Sequence, residues 1–321
     1  MNLLTRIRRL FLTWFLVKFI IRKSKQIRLL GFQGIPLFDV SRFFLEQVKK
    51  VGLNERASAI SFNFILAIPP AIIFLFTLIP HLPISQQFID QLYRLIQDFV
   101  PGEKNNSVLI RFLNDFIKHP RNGLLSFGFL LSLYYSSNAM MGIMRSFDLD
   151  SVIFKKRSGW QQRRTAIGLT LILNVLILVS IFLMVAQDAF LCWIGITNEF
   201  LIDLISNSRW IIIVLLFFFS ISFIYRHAPS VHKKWRIINP GSILASALMI
   251  LSTLAFSFWV TRFGSYNRLY GSIGTILIVM LIIYINSLVL LIGFELNVSI
   301  TSLKHIVDER NKSAAGGAHN R

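Results

Sequence analysis

Glu295 is the only acidic residue in a mostly apolar run from 272 to 299. A carboxylate held at membrane depth costs roughly 2.5–3.5 kcal/mol on insertion scales, so it is expected to serve a function or to meet a counter-charge. At helical spacing Glu295 shares one face with Tyr284, Leu288 and Leu291, while Asn286, Leu290, Gly293 and Asn297 share another. A second polar face lies on an earlier apolar run, where Tyr134, Asn138, Met141 and Arg145 recur at i, i+4, i+7 and i+11 and end in a cation. Beside it, Gly128, Ser132, Tyr135, Ala139 and Gly142 form a stripe of mostly small residues suited to close helix contact. A third feature is Pro69-Pro70, inside the first apolar run and six residues after Asn63. Two ring nitrogens that cannot donate leave the carbonyls of Ile65 and Leu66 without helical partners, which predicts a kinked or broken helix. Discontinuous helices of this kind supply backbone groups to transporter sites.

Asn63, Pro69, Pro70, Tyr134, Asn138, Arg145, Asn286, Glu295 and Asn297 are therefore the candidate lining of a polar, substrate-binding cavity. Arg145 would meet an anionic group, and Glu295 would hold it in place or exchange a proton. Each polar residue also has a plainer reading, in which it ties helices together, with Arg145 and Glu295 merely neutralising each other.

Enzyme chemistry has little to stand on. The six histidines, at 81, 119, 227, 232, 305 and 319, fall in expected loops or tails without metal-ligand spacing, and no nucleophile elbow, Walker loop or dinucleotide fingerprint occurs. Tyr270-Gly-Ser-Ile-Gly274 opens an apolar run rather than following a strand, so it reads as a tight turn. Cys192 is the sole cysteine, which excludes an intramolecular disulfide. No catalytic residue, metal or cofactor is expected.

The elements that must position these residues follow from hydropathy. The 321 residues are 54% hydrophobic and 15% charged, with a mean hydropathy of +0.62, far above a water-soluble domain. Runs long enough to cross a bilayer occur at about 58–80, 123–144, 166–190, 210–225, 240–261 and 272–299. The expectation is an all-α integral membrane protein with six transmembrane helices. Segments before, after and between alternate spans hold 26 of the Lys and Arg residues, whereas the other set holds 8. By the positive-inside rule, both termini are then cytoplasmic.

Residues 1–57 form a basic N-terminal segment, in which Leu10–Ile21, flanked and interrupted by Arg and Lys, predicts an amphipathic helix lying in the interface. Residues 58–300 form the six-helix domain. Residues 301–321 form a cytoplasmic tail, expected to be disordered after Arg310. The connection from His81 to Asn122 carries two apolar periodicities, Phe88–Phe99 and Val108–Ile117, which predict short amphipathic helices at the periplasmic mouth.

Several segments in order resemble the YihY/BrkB family of bacterial inner-membrane proteins. They are Ala57-Ser-Ala-Ile-Ser-Phe62 leading to Pro69-Pro70, Arg226-His-Ala-Pro229, Asn239-Pro-Gly-Ser242, Tyr266 with Tyr270-Gly-Ser-Ile-Gly274, and Gly293-Phe-Glu-Leu-Asn297. The resemblance covers about 43–301. It implies a six-helix fold in the bacterial inner membrane, in a family without an agreed biochemical activity. Some members carry a ribonuclease label that this sequence gives no reason to keep; others are linked to envelope integrity and to transport of lipid or lipopolysaccharide precursors. The resemblance therefore implies a transporter or flippase for an anionic envelope lipid or related amphiphile, without an ATPase of its own. The alternative is a non-transporting scaffold for envelope integrity. The expected partners are anionic membrane lipids and no nucleic acid, with a homo-oligomer left open.

The division of Lys and Arg makes a topological prediction. A reporter active only in the cytoplasm should give signal when fused after Lys304 and none when inserted near Gly102, and the reverse pattern would sink the both-ends-inside topology.

Overall fold

In a computed structural model, the structure describes residues 15–28, 31–78, 110–111, 114–115, 122–148, 154–155, 157–194, 199–232, 234–262 and 266–318. Among them the fold is helical, with a single isolated bridge between Phe154 and Val231. Two shorter helices come first: α1, Phe15–Gln26, and α2, Leu37–Lys50. Six long ones follow: α3 Leu53–Leu78, α4 Asn122–Phe147, α5 Gly159–Ile194, α6 Glu199–His227, α7 Pro240–Arg262 and α8 Tyr266–Ala318. Stretches long and apolar enough to span a membrane lie in α3, α5, α7 and α8, and α6 contains a shorter apolar stretch, Ile211–His227. α4 also runs 26 residues, with the polar run Tyr134–Asn138 at its middle.

The six long helices close into a ring, each packed on two neighbours in the order α3, α4, α5, α6, α7, α8 and back to α3. The α3–α4 seam is the most extensive, and Gly128 and Gly142 from the predicted small-residue stripe sit in it, against Phe74 and Asn63. Outward-facing side chains are large and apolar, such as Leu130, Leu254 and Phe258, each more than 60% exposed. A surface of this kind is stable in hydrocarbon, not in water.

Two expectations change. α3 runs without interruption through Pro69 and Pro70, so the helix is not broken. Two consecutive prolines forfeit only the bonds to Ile65 and Leu66, while the turns on either side stay bonded and α4 packs against α3 both before and after them, at Asn63 and at Phe74. α8 does not end near 300 but continues to Ala318, where a tail disordered after Arg310 is expected from the sequence. Extending an established helix costs far less than nucleating one, and the i, i+4 ion pair Lys304–Asp308 at 2.9 Å and the i, i+4 contact of His305 with Glu309 at 3.5 Å support the extension. The amphipathic helix α1 is described over Phe15–Gln26, and Leu10–Trp14 lie outside the described residues, as does nearly all of the connection 81–121 with its two expected helices.

Most of the buried core gathers at the end of the ring where the basic loops emerge. Phe294 of α8 stacks on Phe147 of α4, with centroids 4.1 Å apart and planes 8° apart, and Trp235 meets Phe294 from the connection between α6 and α7 at 5.7 Å. Tyr225 of α6, fully buried, donates its hydroxyl to the Leu290 carbonyl at 2.6 Å.

α7 starts in this core. Asn239 caps it, its Oδ1 accepting from the Ser242 amide at 2.8 Å, while the Asn239 amide is directed at Ser242 Oγ at 3.3 Å; Pro240 takes the first helical position, where no amide is needed. The cap leads straight into the closest helix crossing, where Gly241 faces Gly293. A Cβ on Gly241 would collide with the Gly293 carbonyl and the Asn297 amide, and one on Gly293 would collide with the Gly241 carbonyl and the Tyr225 hydroxyl.

Gly241→Ala should therefore lower the melting temperature of the detergent-solubilised protein, by the equivalent of about 1–3 kcal/mol of overpacking. Gly168→Ala in α5, where a Cβ meets nothing within 4 Å, should leave it unchanged or higher. Equal melting temperatures for the two variants would contradict the close crossing.

Candidate functional site

The partner of Glu295 is Arg56. Glu295 is fully buried in α8, and the guanidinium, on the first turns of α3 and 16% exposed, donates from Nη1 to Glu295 Oε1 at 2.9 Å. Arg145, the expected partner, instead ends α4 on the exposed side of the bundle. The correction is one of face: Glu295 lies on the side of α8 that packs α3, while Arg145 is turned away from it. The Arg56–Glu295 pair is joined by one hydrogen bond only. Arg56 Nη2 and Glu295 Oε2 are buried with no protein partner.

The other candidate residues separate into distinct seams. On the opposite face of α8, Asn297 donates to Asn239 Oδ1 at 2.6 Å and accepts from the Gly241 amide at 2.9 Å, which ties α8 to the cap of α7. About three turns away on the same face, Asn286 accepts from Ser252 of α7 at 3.1 Å. Tyr134 and Asn138 face α5, where Arg163 donates to Asn138 Oδ1 and lies over the Tyr134 ring, 4.8 Å from its centroid. Asn63 donates to Ala59 of its own helix at 2.8 Å and lies against Gly142 of α4. Pro69 is exposed and Pro70 half-buried, further along α3. The nine residues thus do not form one cluster, because the faces of α8 that carry Glu295 and Asn297 point to different neighbours.

Arg56, Arg163 and Asn239 are the polar partners that sequence reasoning missed. Arg56 was one of twelve basic residues before the first span, and only its position on the first turns of α3, level with a lone buried acid, sets it apart. Asn239 carried a local signal, the Asn-Pro-Gly-Ser cap sequence.

A second polar group binds two loops together at this end. Asp148, just after α4, accepts from Gln162 Nε2 at 2.6 Å and from Ser230 Oγ at 2.9 Å. Arg157 donates to the carbonyls of Ala228 and Pro229, at 3.0 and 3.2 Å, closing the C-terminus of α6. Burial pulls the Arg157 guanidinium below its ordinary range and Asp148 partly offsets this, so the residue stays a cation. Beyond these loops, α2 and the extension of α8 enclose an open groove of about 570 Å³, with an apolar floor that includes Ile35, Phe43, Leu303 and Val307, and with Asp39, Arg42, Glu46 and Arg310 on its walls.

Among the described residues, no group of three or more His, Cys, Asp or Glu side chains stands close enough to hold a metal ion. Long apolar helices with large apolar side chains on their outer faces and polar groups in the seams between them define a helical, multi-pass membrane protein. Comparison with known proteins gives the family: the family model described as virulence factor BrkB matches residues 44–317, and the chain belongs to that family. It is 29% identical over 278 residues to a ribonuclease-like protein, YfkH, of Bacillus subtilis, covering 83% of this chain and 98% of YfkH. UPF0761 membrane proteins are also similar. The one from Chromohalobacter salexigens is 27% identical over 75% of this chain and 58% of its own length, and the one from Pseudoalteromonas atlantica is 25% identical over 84% and 88%. No solved structure matches.

Glu295→Ala should strand the Arg56 charge and cost about 3–5 kcal/mol, read as a large fall in melting temperature, while Arg56→Met combined with Glu295→Leu should recover most of the loss. A double variant no more stable than Glu295→Ala alone would show that the two residues are not each other's main partner.

Proposed function

We propose that the protein spans the bacterial inner membrane six times, with both termini in the cytoplasm, and moves an anionic envelope lipid or related amphiphile across it without hydrolysing ATP. The observation that carries this reading is the Arg56–Glu295 pair. A charge pair fully buried on the Glu295 side, yet reaching the surface through Arg56, sits at the basic end of an apolar helix ring. Structural adhesion alone is served elsewhere in this bundle by neutral groups such as Asn297 and Asn286. An ionised pair is the more costly choice, and intramembrane charges concentrate on substrate and ion pathways. The basic loops at the same end would gather anionic headgroups. The ribonuclease-like name of YfkH has no counterpart in a metal-binding cluster among the described residues, and nucleic acid is not proposed as a partner.

A second reading, a scaffold that organises envelope partners, is favoured by one observation. Asn63, Tyr134, Asn138, Asn286 and Asn297 all make contacts within helices or across seams, as packing residues do. Vesicles separate the two. The purified protein should speed the movement of fluorescent phosphatidylglycerol between leaflets relative to protein-free vesicles, and phosphatidylcholine should move more slowly. Intact, folded protein that leaves both lipids at the protein-free rate would reject transport in favour of the scaffold.

A further inference from the structure

The Arg56–Glu295 pair is incomplete in a way that points to a third group. A guanidinium and a carboxylate can pair fork to fork with two parallel bonds, which would satisfy all four facing atoms. Here one bond is made, and a buried donor, Arg56 Nη2, and a buried carboxylate oxygen, Glu295 Oε2, are left over. An unmade hydrogen bond at a buried charged group is among the more costly defects a fold can carry.

We propose that these two unpartnered atoms form a binding site for a phosphate or phosphodiester anion that enters together with one proton. The charge balance requires the proton. With Glu295 ionised the site is neutral, and an added anion would leave a net negative charge buried in a place of low dielectric. When Glu295 Oε2 takes a proton from the aqueous phase, an O–H bond forms and the site becomes cationic. The anion then restores neutrality. The hydrogen bonds balance in the same state, because an anionic oxygen needs donors, and Arg56 Nη2 and the new Oε2–H supply two. The inference rests on the reading of the protein as a handler of anionic lipid and adds the coupled proton and the residues that bind it.

Little else at this place can take up the proton. α3 offers only Glu55, exposed, besides Arg56; α7 has no titratable side chain from Pro240 to Thr261; and α8 has no second acid between 266 and 307. α4 carries Tyr134, Tyr135 and Arg145, of which Tyr134 lies under Arg163 and Arg145 is exposed. Tyr225 of α6 gives its hydroxyl to Leu290. α2 directs Asp39, Arg42 and Glu46 to the groove along the extension of α8, and ends in exposed Lys49 and Lys50, seven and six residues before Arg56. Those two lysines would draw an anion toward the exposed edge of the guanidinium.

The test uses the full chain in nanodiscs of phosphatidylcholine, titrated separately with dihexanoyl phosphatidylglycerol and with inorganic phosphate across the acid-to-neutral range. Affinity should rise about tenfold for each pH unit of acidification wherever Glu295 is ionised in the free protein, the linkage expected for one proton per anion. Glu295→Gln keeps a donor and removes the charge, so it should bind tightly at every pH with the slope abolished. Arg56→Gln should bind neither probe. Binding of the lipid alone identifies a headgroup as the ligand, and equal binding of phosphate identifies the free anion; either supports the site. Affinity independent of pH in the unaltered protein overturns the proposal, and so does a loss of binding in Glu295→Gln as large as in Arg56→Gln, which would mark the pair as structural with water on the two atoms. Since the pH slope is read on the unaltered chain, a poorly folding variant does not remove the test. The expected binding pattern without lipid movement in vesicles would keep the site and reject transport. Lipid movement unaltered in Arg56→Gln, with binding insensitive to pH, would reject the site and keep transport.

Discussion

Hydrocarbon is as apolar as a leucine side chain, so lipid gives helices no hydrophobic reason to associate, and adhesion has to come from close packing and polar contacts. In this protein the tightest of those contacts gather at one end. Gly241 and Gly293 bring two backbones together, the Asn239 cap and Asn297 fasten the same crossing, and Phe147, Phe294 and Trp235 fill the space beside it. The other long surfaces of the helices are left to the lipid.

α8 is the hub of that arrangement. It packs on α7, α3 and α2 and touches α4, and it presents a different polar group to different neighbours: Asn297 and Asn286 to α7, Ser287 to Ser61 of α3, and Glu295 to Arg56. Helical periodicity enforces this separation, since residues two apart point to opposite sides. The seam with α7 is neutral and fully bonded where Asn297 meets it, with amides on both sides. The seam with α3 carries the charge, with Arg56 Nη2 and Glu295 Oε2 unpartnered.

The loops strengthen the same end. Asp148 and Arg157 bind the connection after α4 to the connection after α6, so two basic segments that are more than 70 residues apart in the chain become one surface.

Hydropathy by itself determined that the chain is a helical, multi-pass membrane protein, because apolar runs of that length have no other stable use, and ordered motifs such as Gly293-Phe-Glu-Leu-Asn297 determined the family. The sequence also marked Glu295 as the residue in need of a partner and the glycine stripe of α4 as a contact face. It could not say which cation answers Glu295. Arg145 and Arg56 lie at similar depth by sequence, and only the rotation of α8 against α3 separates them. Pro69-Pro70 likewise reads as a break in an isolated helix, whereas packing along α4 keeps α3 continuous. Depth follows from position along a helix and is legible in one dimension; the facing of one helix toward another depends on all its neighbours at once, and the tertiary structure alone decided it.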